Sequence, residues 1–152
     1  MVQKNNRFFY SPKKYENSIK KQKKLSTFLN KEKILTVHHR RPIPLDGSRQ
    51  SWNLSYIPED IHKAWTIIMG NMNAEQICNH INIYFKPKKV TVICHFINGI
   101  PCKKTGICGT KNIDKIYYAW NILFKKYPHF IDKINIINNR LLDPSYHLYI
   151  KE

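Results

Sequence analysis

What this sequence lacks narrows it first. None of its 152 residues belong to an apolar run approaching the roughly 18 that a membrane span needs, and the basic N-terminus has neither an apolar h-region nor a small-residue cleavage site. The expectation is a soluble, cytoplasmic protein with no membrane partner. Acidic residues are scarce: ten Asp and Glu stand against 26 Lys and Arg, a formal net charge of +16. An excess of that sign attracts phosphate backbones through counterion release and long-range steering. Nucleic acid is therefore the expected partner, DNA first, although the residues do not by themselves separate DNA from RNA. Biased composition, rich in Ile, Lys, Asn and Tyr, accounts for part of the same charge as a solvated surface. Cysteine is sparse and badly spaced for metal: Cys78, Cys94, Cys102 and Cys108 form no Cys-x-x-Cys pair, which argues against a zinc ribbon. A set of Cys94, His95, Cys102 and Cys108 fits no standard ligand spacing, so free thiols are expected.

What is present builds a folded chain. Hydrophobic residues make up 42%, with nine Tyr, seven Phe and three Trp, enough for a modest core. Residues 1–33 carry ten of the basic residues and only scattered apolar ones, and read as a flexible or weakly helical arm able to follow a nucleic-acid backbone. From Ile34 the texture changes. "ILTV" is β-branched and apolar, "PLDGS" is a turn cluster, and Trp52, Leu54 and Tyr56 alternate with polar neighbours, so 34–57 reads as a β-hairpin with an irregular tip. A helix should follow, with Pro58, Glu59 and Asp60 at its start and Ile61, Trp65, Ile68 and Met69 on one face. "GNMN" breaks it. Asn73 and Gln76 then resemble a capping box, opening a second helix through Ile77, Ile81 and Tyr84 that ends before Pro87.

The second half reads as a repeat of this plan. "TVICHFINGIPC" carries apolar residues on both sides of Asn98-Gly99, a strong hairpin signal. Ile61, Ala64, Trp65 and Ile67 correspond to Ile116, Ala119, Trp120 and Ile122 at a constant offset of 55, and "INIINNRLLDP" follows as a further helix. The expected architecture is α+β: a hairpin-plus-two-helix unit over 34–87, and a degenerate second copy over 88–152 packed on it through Trp65 and Trp120.

The chemistry concentrates in "TVHHRRPIPLDGSRQSWNLSYIPEDIHKAW". His38 and His39 end the first strand and so point to opposite sides of it, Asn53 lies where the hairpin returns, and His62 falls in the first turn of the helix. Folding the hairpin onto the helix would bring His38 and His62 to one divalent cation. Imidazole is the side chain that accepts a proton near neutral pH without tuning. Arg40, Arg41, Arg49 and Lys63 are the candidate phosphate contacts. In the second half Cys94 and His95 stand where His38 and His39 stood, but Tyr117 replaces His62. Lys103, Lys104, Lys111 and Lys115 there could add phosphate contacts. His80, His129 and His147 give no functional signal.

Across residues 34 to 71 these residues resemble the HNH endonuclease family of ββα-metal nucleases: "HHRRP", the Asn of "NLSYIP" and the His of "EDIHKAW", with spacings of 14 and 9. The resemblance implies a ββα-metal unit in which His38 and His62 hold a divalent metal. Mg²⁺ comes first, with Zn²⁺, Ni²⁺ or Mn²⁺ as alternatives. It further implies that His39 is the general base and that Asn53 pins the hairpin and orients His39. The implied activity is metal-dependent hydrolysis of phosphodiesters in DNA. One departure stands out: many members carry a further His four residues after the one matching His62, and here that position is Thr66. The alternatives are a noncatalytic nucleic-acid-binding protein on a decayed scaffold and, behind it, a protein-interaction module.

Overall fold

The structure is a computed structural model that describes residues 34–85 and 90–151; the arm expected over 1–33 and Pro87 lie outside the described residues. β1 (Leu35–His39) and β2 (Leu54–Pro58) form an antiparallel pair in which His38 lies opposite Ser55 and His39 opposite Leu54. Between them the tip makes two short 3₁₀ turns, Ile43–Leu45 and Ser51–Asn53. The tip folds tightly back on β1: a Cβ at Gly47 would lie 1.9 Å from the Arg41 carbonyl oxygen, so no larger residue fits there.

α1 (Glu59–Met69) follows directly, with Pro58 as its N-cap and Glu59 and Asp60 in the first turn, where acidic side chains favour the helix dipole. Its apolar face, Ile61, Trp65, Ile68 and Met69, is buried as the spacing requires. Gly70 ends it in a conformation with φ 54°, which an L side chain rarely adopts. α2 (Ala74–Tyr84) opens on the reciprocal capping box of Asn73 and Gln76. Ile77 and Ile81 are buried, whereas Tyr84, expected on the same face, is exposed.

The second half departs from the expected copy. β3 (Thr91–Phe96) does not turn back on itself at Asn98-Gly99; it pairs antiparallel with β4 (Tyr146–Lys151) at the far end of the chain. The hairpin expected at 98–99 is thus corrected. Past Gly99, Pro101 and a run with no apolar alternation offer no returning strand, while Tyr146, Leu148 and Ile150 supply the period-two apolar face that β3 needs. The released segment instead straps the α1–α2 junction: Asn71 donates to the Ile107 carbonyl, Thr110 to that of Ile67, and Gln76 to that of Gly106.

α3 (Ile113–Lys126) packs against α1, and the short α4 (Ile134–Arg140) leads to β4. Both Trp65 and Trp120 enter one continuous core, where Trp120, Phe124, Phe130 and Phe85 cluster with ring centroids 5.2–6.2 Å apart. Two Asn side chains imitate strand pairing: Asn82 bonds both backbone groups of Val92, and Asn138 both those of Leu148. The described residues thus form an α+β fold with two two-stranded antiparallel sheets and four α-helices. Among them no helix is long and apolar enough to cross a membrane.

The two halves are locked together by Arg41. Its guanidinium forms an ion pair with Asp143 and donates to the Ile100 carbonyl (2.6 Å) and to Ser145 Oγ (3.1 Å), with side-chain exposures of 11% for Arg41 and 6% for Asp143. Removing one partner of a buried pair strands the other charge without water. Arg41→Ala should therefore lower unfolding free energy by about 3–5 kcal/mol, read as a reduced urea midpoint, whereas Arg49→Ala, on the exposed tip, should leave the midpoint essentially unchanged.

Candidate metal and phosphodiester site

β1 alternates. Leu35 and Val37 are exposed on its outer side, while Thr36 and His38 turn toward α1. His62, in the first turn of α1, meets both. The His38 and His62 ring centroids lie 5.3 Å apart, nearly perpendicular, and the Trp65 ring stands edge-on to His38 at 6.5 Å. These residues, with His39 and Thr66, line a cavity of about 210 Å³. His39 is half-buried at its wall.

The hydrogen bonds determine which nitrogens are open. His38 Nε2 sits 2.8 Å from the Leu141 carbonyl oxygen, which can only accept, so Nε2 carries the proton. Burial drives the His38 pKa down to about 4 despite that bond, with the charges of His62 and His39 adding to the effect. The ring is neutral near pH 7, and its lone pair is on Nδ1. His62 Nδ1 lies 2.9 Å from Thr36 Oγ1, while the Thr36 hydroxyl donates to the Ile57 carbonyl at 3.4 Å. In the tautomer with its proton on Nδ1, His62 donates to that hydroxyl, and the lone pair is on Nε2. Burial, then His39, holds the His62 pKa low as well, against the pull of Glu59.

Each imidazole is therefore neutral, held through one nitrogen by a neighbour and open at the other. That is the arrangement of metal-binding histidines, whose second nitrogen donates to a carbonyl or similar acceptor. His38 Nδ1 and His62 Nε2 are the atoms that would hold a cation. Among the described residues, no group of three or more His, Cys, Asp or Glu is placed to hold a metal ion, so the site is a two-imidazole pair. Thr66 is exposed one turn beyond His62. Such a pair suits a hydrated hard ion that keeps several waters and takes substrate oxygens.

Asn53 anchors the frame. Fully buried, its Oδ1 accepts from the Arg41 N–H (2.7 Å), and its Nδ2 donates to the carbonyls of Arg41 (3.0 Å) and Ser48 (2.7 Å). Together with the bond from Arg40 N–H to the Asn53 carbonyl (2.8 Å), this ties the residue after β1 to the residue before β2. The backbone immediately following His39 is thereby fixed.

The arginines behave differently from expectation. Arg41 is committed to Asp143 and is not free to meet a phosphate. Arg40 donates through Nε to the Leu142 carbonyl (2.9 Å) and through Nη2 to that of Asn138 (2.6 Å). Both serve as ties within the fold, because the C-terminal segment brings carbonyls and a carboxylate against this side of the hairpin; Arg40, half-buried, also lines the cavity. Arg49 is exposed, and Lys63 is exposed beside Glu59 at 2.7 Å. In the second half Cys94 and His95 lie on β3, facing Leu148 and His147 in register. The Cys94 thiol is pushed up to about 12, chiefly by burial. All four cysteines are free thiols, of which only Cys78 is fully buried.

Two contributors escaped the sequence reading. Thr36, two residues before His38, carried a signal, since period-two alternation places it on the same side of the strand. The Leu141 carbonyl carried none, being 103 residues from His38 in the chain. No protein-family model, curated protein or solved structure matches this chain.

A titration checks this geometry. With its pKa near 4 in the fold against about 6.5 unfolded, His38 makes the unfolded chain bind more protons between those values. Its contribution is complete above pH 6.5 and is lost as pH falls toward 4; His62 is shifted in the same direction. Metal-free protein should lose about 3 kcal/mol of stability over that window through His38. In urea titrations from pH 7 to pH 4, His38→Gln should show a correspondingly flatter dependence.

Proposed function

We propose that this protein is a metal-dependent endonuclease of the HNH type, hydrolysing phosphodiester bonds in nucleic acid, with DNA the first substrate to test. The observation that carries the reading is the His38–His62 pair, two neutral imidazoles 5.3 Å apart that are each held at one nitrogen and open at the other. His39 beside them supplies a base for an attacking water. Held by His38 Nδ1 and His62 Nε2, a divalent cation, Mg²⁺ first and Mn²⁺, Ni²⁺ or Zn²⁺ as alternatives, would supply Lewis acidity toward a phosphate oxygen and the leaving oxygen. His38 and His62 would hold the cation through their ring nitrogens, and His39, not used for that, would be the proton acceptor. Asn53 acts through the backbone, fixing the chain just past His39 so that its ring keeps one orientation to the cavity. The net charge of +16 brings the polyanion to the surface.

A second reading, a noncatalytic nucleic-acid binder on the same scaffold, draws on Thr66 at the position one turn after His62. Supercoiled plasmid separates the two. The nuclease reading expects nicking that requires Mg²⁺, Mn²⁺ or Ni²⁺ and falls by about 10²–10⁴-fold in His39→Ala, with DNA retardation retained. Equal inactivity of wild type and variant, with both still retarding DNA in a salt-sensitive way, would give the site to binding alone.

A further inference from the structure

Between β3 and α3 the chain runs from Ile97 to Asn112 without helix or strand. It carries the two most exposed large apolar side chains among the described residues, Ile100 at 80% and Ile107 at 82%. Its backbone is nonetheless tied at close intervals. Arg41 donates to the Ile100 carbonyl (2.6 Å), Asn73 Nδ2 to that of Lys104 (2.9 Å) and the Asn71 N–H to that of Ile107 (2.9 Å). Gln76 engages both backbone groups of Gly106, donating to its carbonyl (3.0 Å) and accepting from its N–H (2.8 Å). The side pressed on the α1–α2 junction is made of glycine: a Cβ at Gly106 would lie 1.6 Å from the Asn71 carbonyl oxygen, and one at Gly109 2.0 Å from that of Ile67. Ile107, between those two glycines, turns outward. The strap is therefore a fixed ridge with Ile107 at its crest.

The ridge borders the imidazole cavity. Gly70 and Asn71, against which the Ile107 backbone lies, both line that cavity. Its charge is of one sign, because residues 97–113 contain Lys103, Lys104 and Lys111 and no Asp or Glu. Lys104 pairs with Asp46 (2.9 Å), whereas Lys103 and Lys111 are exposed and in no ion pair among the described residues. Resting on the nuclease reading above, we propose that the strap is a duplex-binding element. Ile107 enters a base step beside the phosphodiester seated in the cavity, as an apolar wedge, while Lys103 and Lys111 contact the flanking phosphates.

Three considerations select this occupant. Apolar side chains, Ile among them, unstack base steps from the minor groove and bend the duplex by roughly 20–90°. A wedge on a backbone already held loses little conformational freedom when it binds. The charge around the crest favours a polyanion, and a second copy of a +16 chain would be repelled. Finally, the ridge stands at the edge of the cavity that would hold the scissile phosphate, so one duplex reaches both. Ile107 has no side-chain hydrogen-bonding atom, so any preference follows the flexibility of the step, pyrimidine–purine steps first.

The test uses the full chain without added metal, so that nothing is cleaved, and a short duplex carrying a donor and an acceptor dye at its two ends. Energy transfer reports bending, and affinity is measured against salt. Wild type should bend the duplex. Ile107→Ala should abolish the bend and weaken binding on the order of tenfold, with the salt slope unchanged, and Ile107→Met, another wedge-forming side chain, should restore both. Lys103→Gln and Lys111→Gln should each flatten the slope of log K against log salt by about 0.9, one duplex phosphate contact. Binding by wild type without bending, or Ile107→Ala that binds and bends as wild type does, would overturn the wedge; metal-dependent plasmid nicking by wild type would then still support the nuclease reading. Loss in Ile107→Ala of adsorption to phosphatidylglycerol vesicles alone, with duplex binding and bending intact, would assign the crest to a lipid surface and overturn the proposal. Wild type that neither binds the duplex nor nicks plasmid would overturn both.

Discussion

The Arg41–Asp143 ion pair is the constraint on which the arrangement depends. It joins the end of the first hairpin strand to the turn before β4, spanning 102 residues of chain. Its members are nearly excluded from water, so the attraction has to offset a large desolvation cost, and the surroundings share that load. Ser145 N–H donates to Asp143 (2.9 Å), while the Ile100 carbonyl and Ser145 hydroxyl accept from Arg41 Nη2. Arg41 is also the residue whose backbone Asn53 grips. One position therefore carries both the closure of the hairpin and the docking of the C-terminal segment.

That docking shapes the candidate site. Leu141 comes against His38 because the segment holding Asp143 is fixed beside the hairpin, and its carbonyl defines the tautomer of the ring. Arg40 reinforces the same contact by capping the Leu142 and Asn138 carbonyls. A hairpin and helix alone would leave His38 more open to water, with a pKa nearer its ordinary value and no fixed proton position. The N-terminal hairpin and helix, expected to pack on the second half through Trp65 and Trp120, are also completed by it at His38, through the Leu141 carbonyl.

Several features were readable before any coordinates. The first hairpin and both helices after it follow from apolar spacing, the Pro58 start, the Gly70 stop and the Asn73–Gln76 capping box, all of which act within a few residues. The approach of His38 to His62 also followed, because a tight strand–turn–strand–helix leaves few ways to arrange thirty residues. The second half misled for a physical reason. Asn98-Gly99 has the preferred hairpin dipeptide, but a turn forms a hairpin only where a returning strand exists, and the partner for β3 lay some fifty residues downstream. The matched Trp65 and Trp120 signalled a shared core position and not a repeated topology.

The sequence by itself determined the local elements, the strong positive charge, and the presence of His38, His39, Asn53 and His62 on one hairpin and helix, since each depends on short-range periodicity and composition. Only the tertiary structure decided which ring nitrogens are open, that Arg40 and Arg41 are internal ties, and that β3 pairs with β4. Apart from the Thr36–His62 contact, those outcomes are set by groups about fifty to a hundred residues away, and the free energy that selects them, burial and the satisfaction of buried polar atoms, exists only once the distant segments have met.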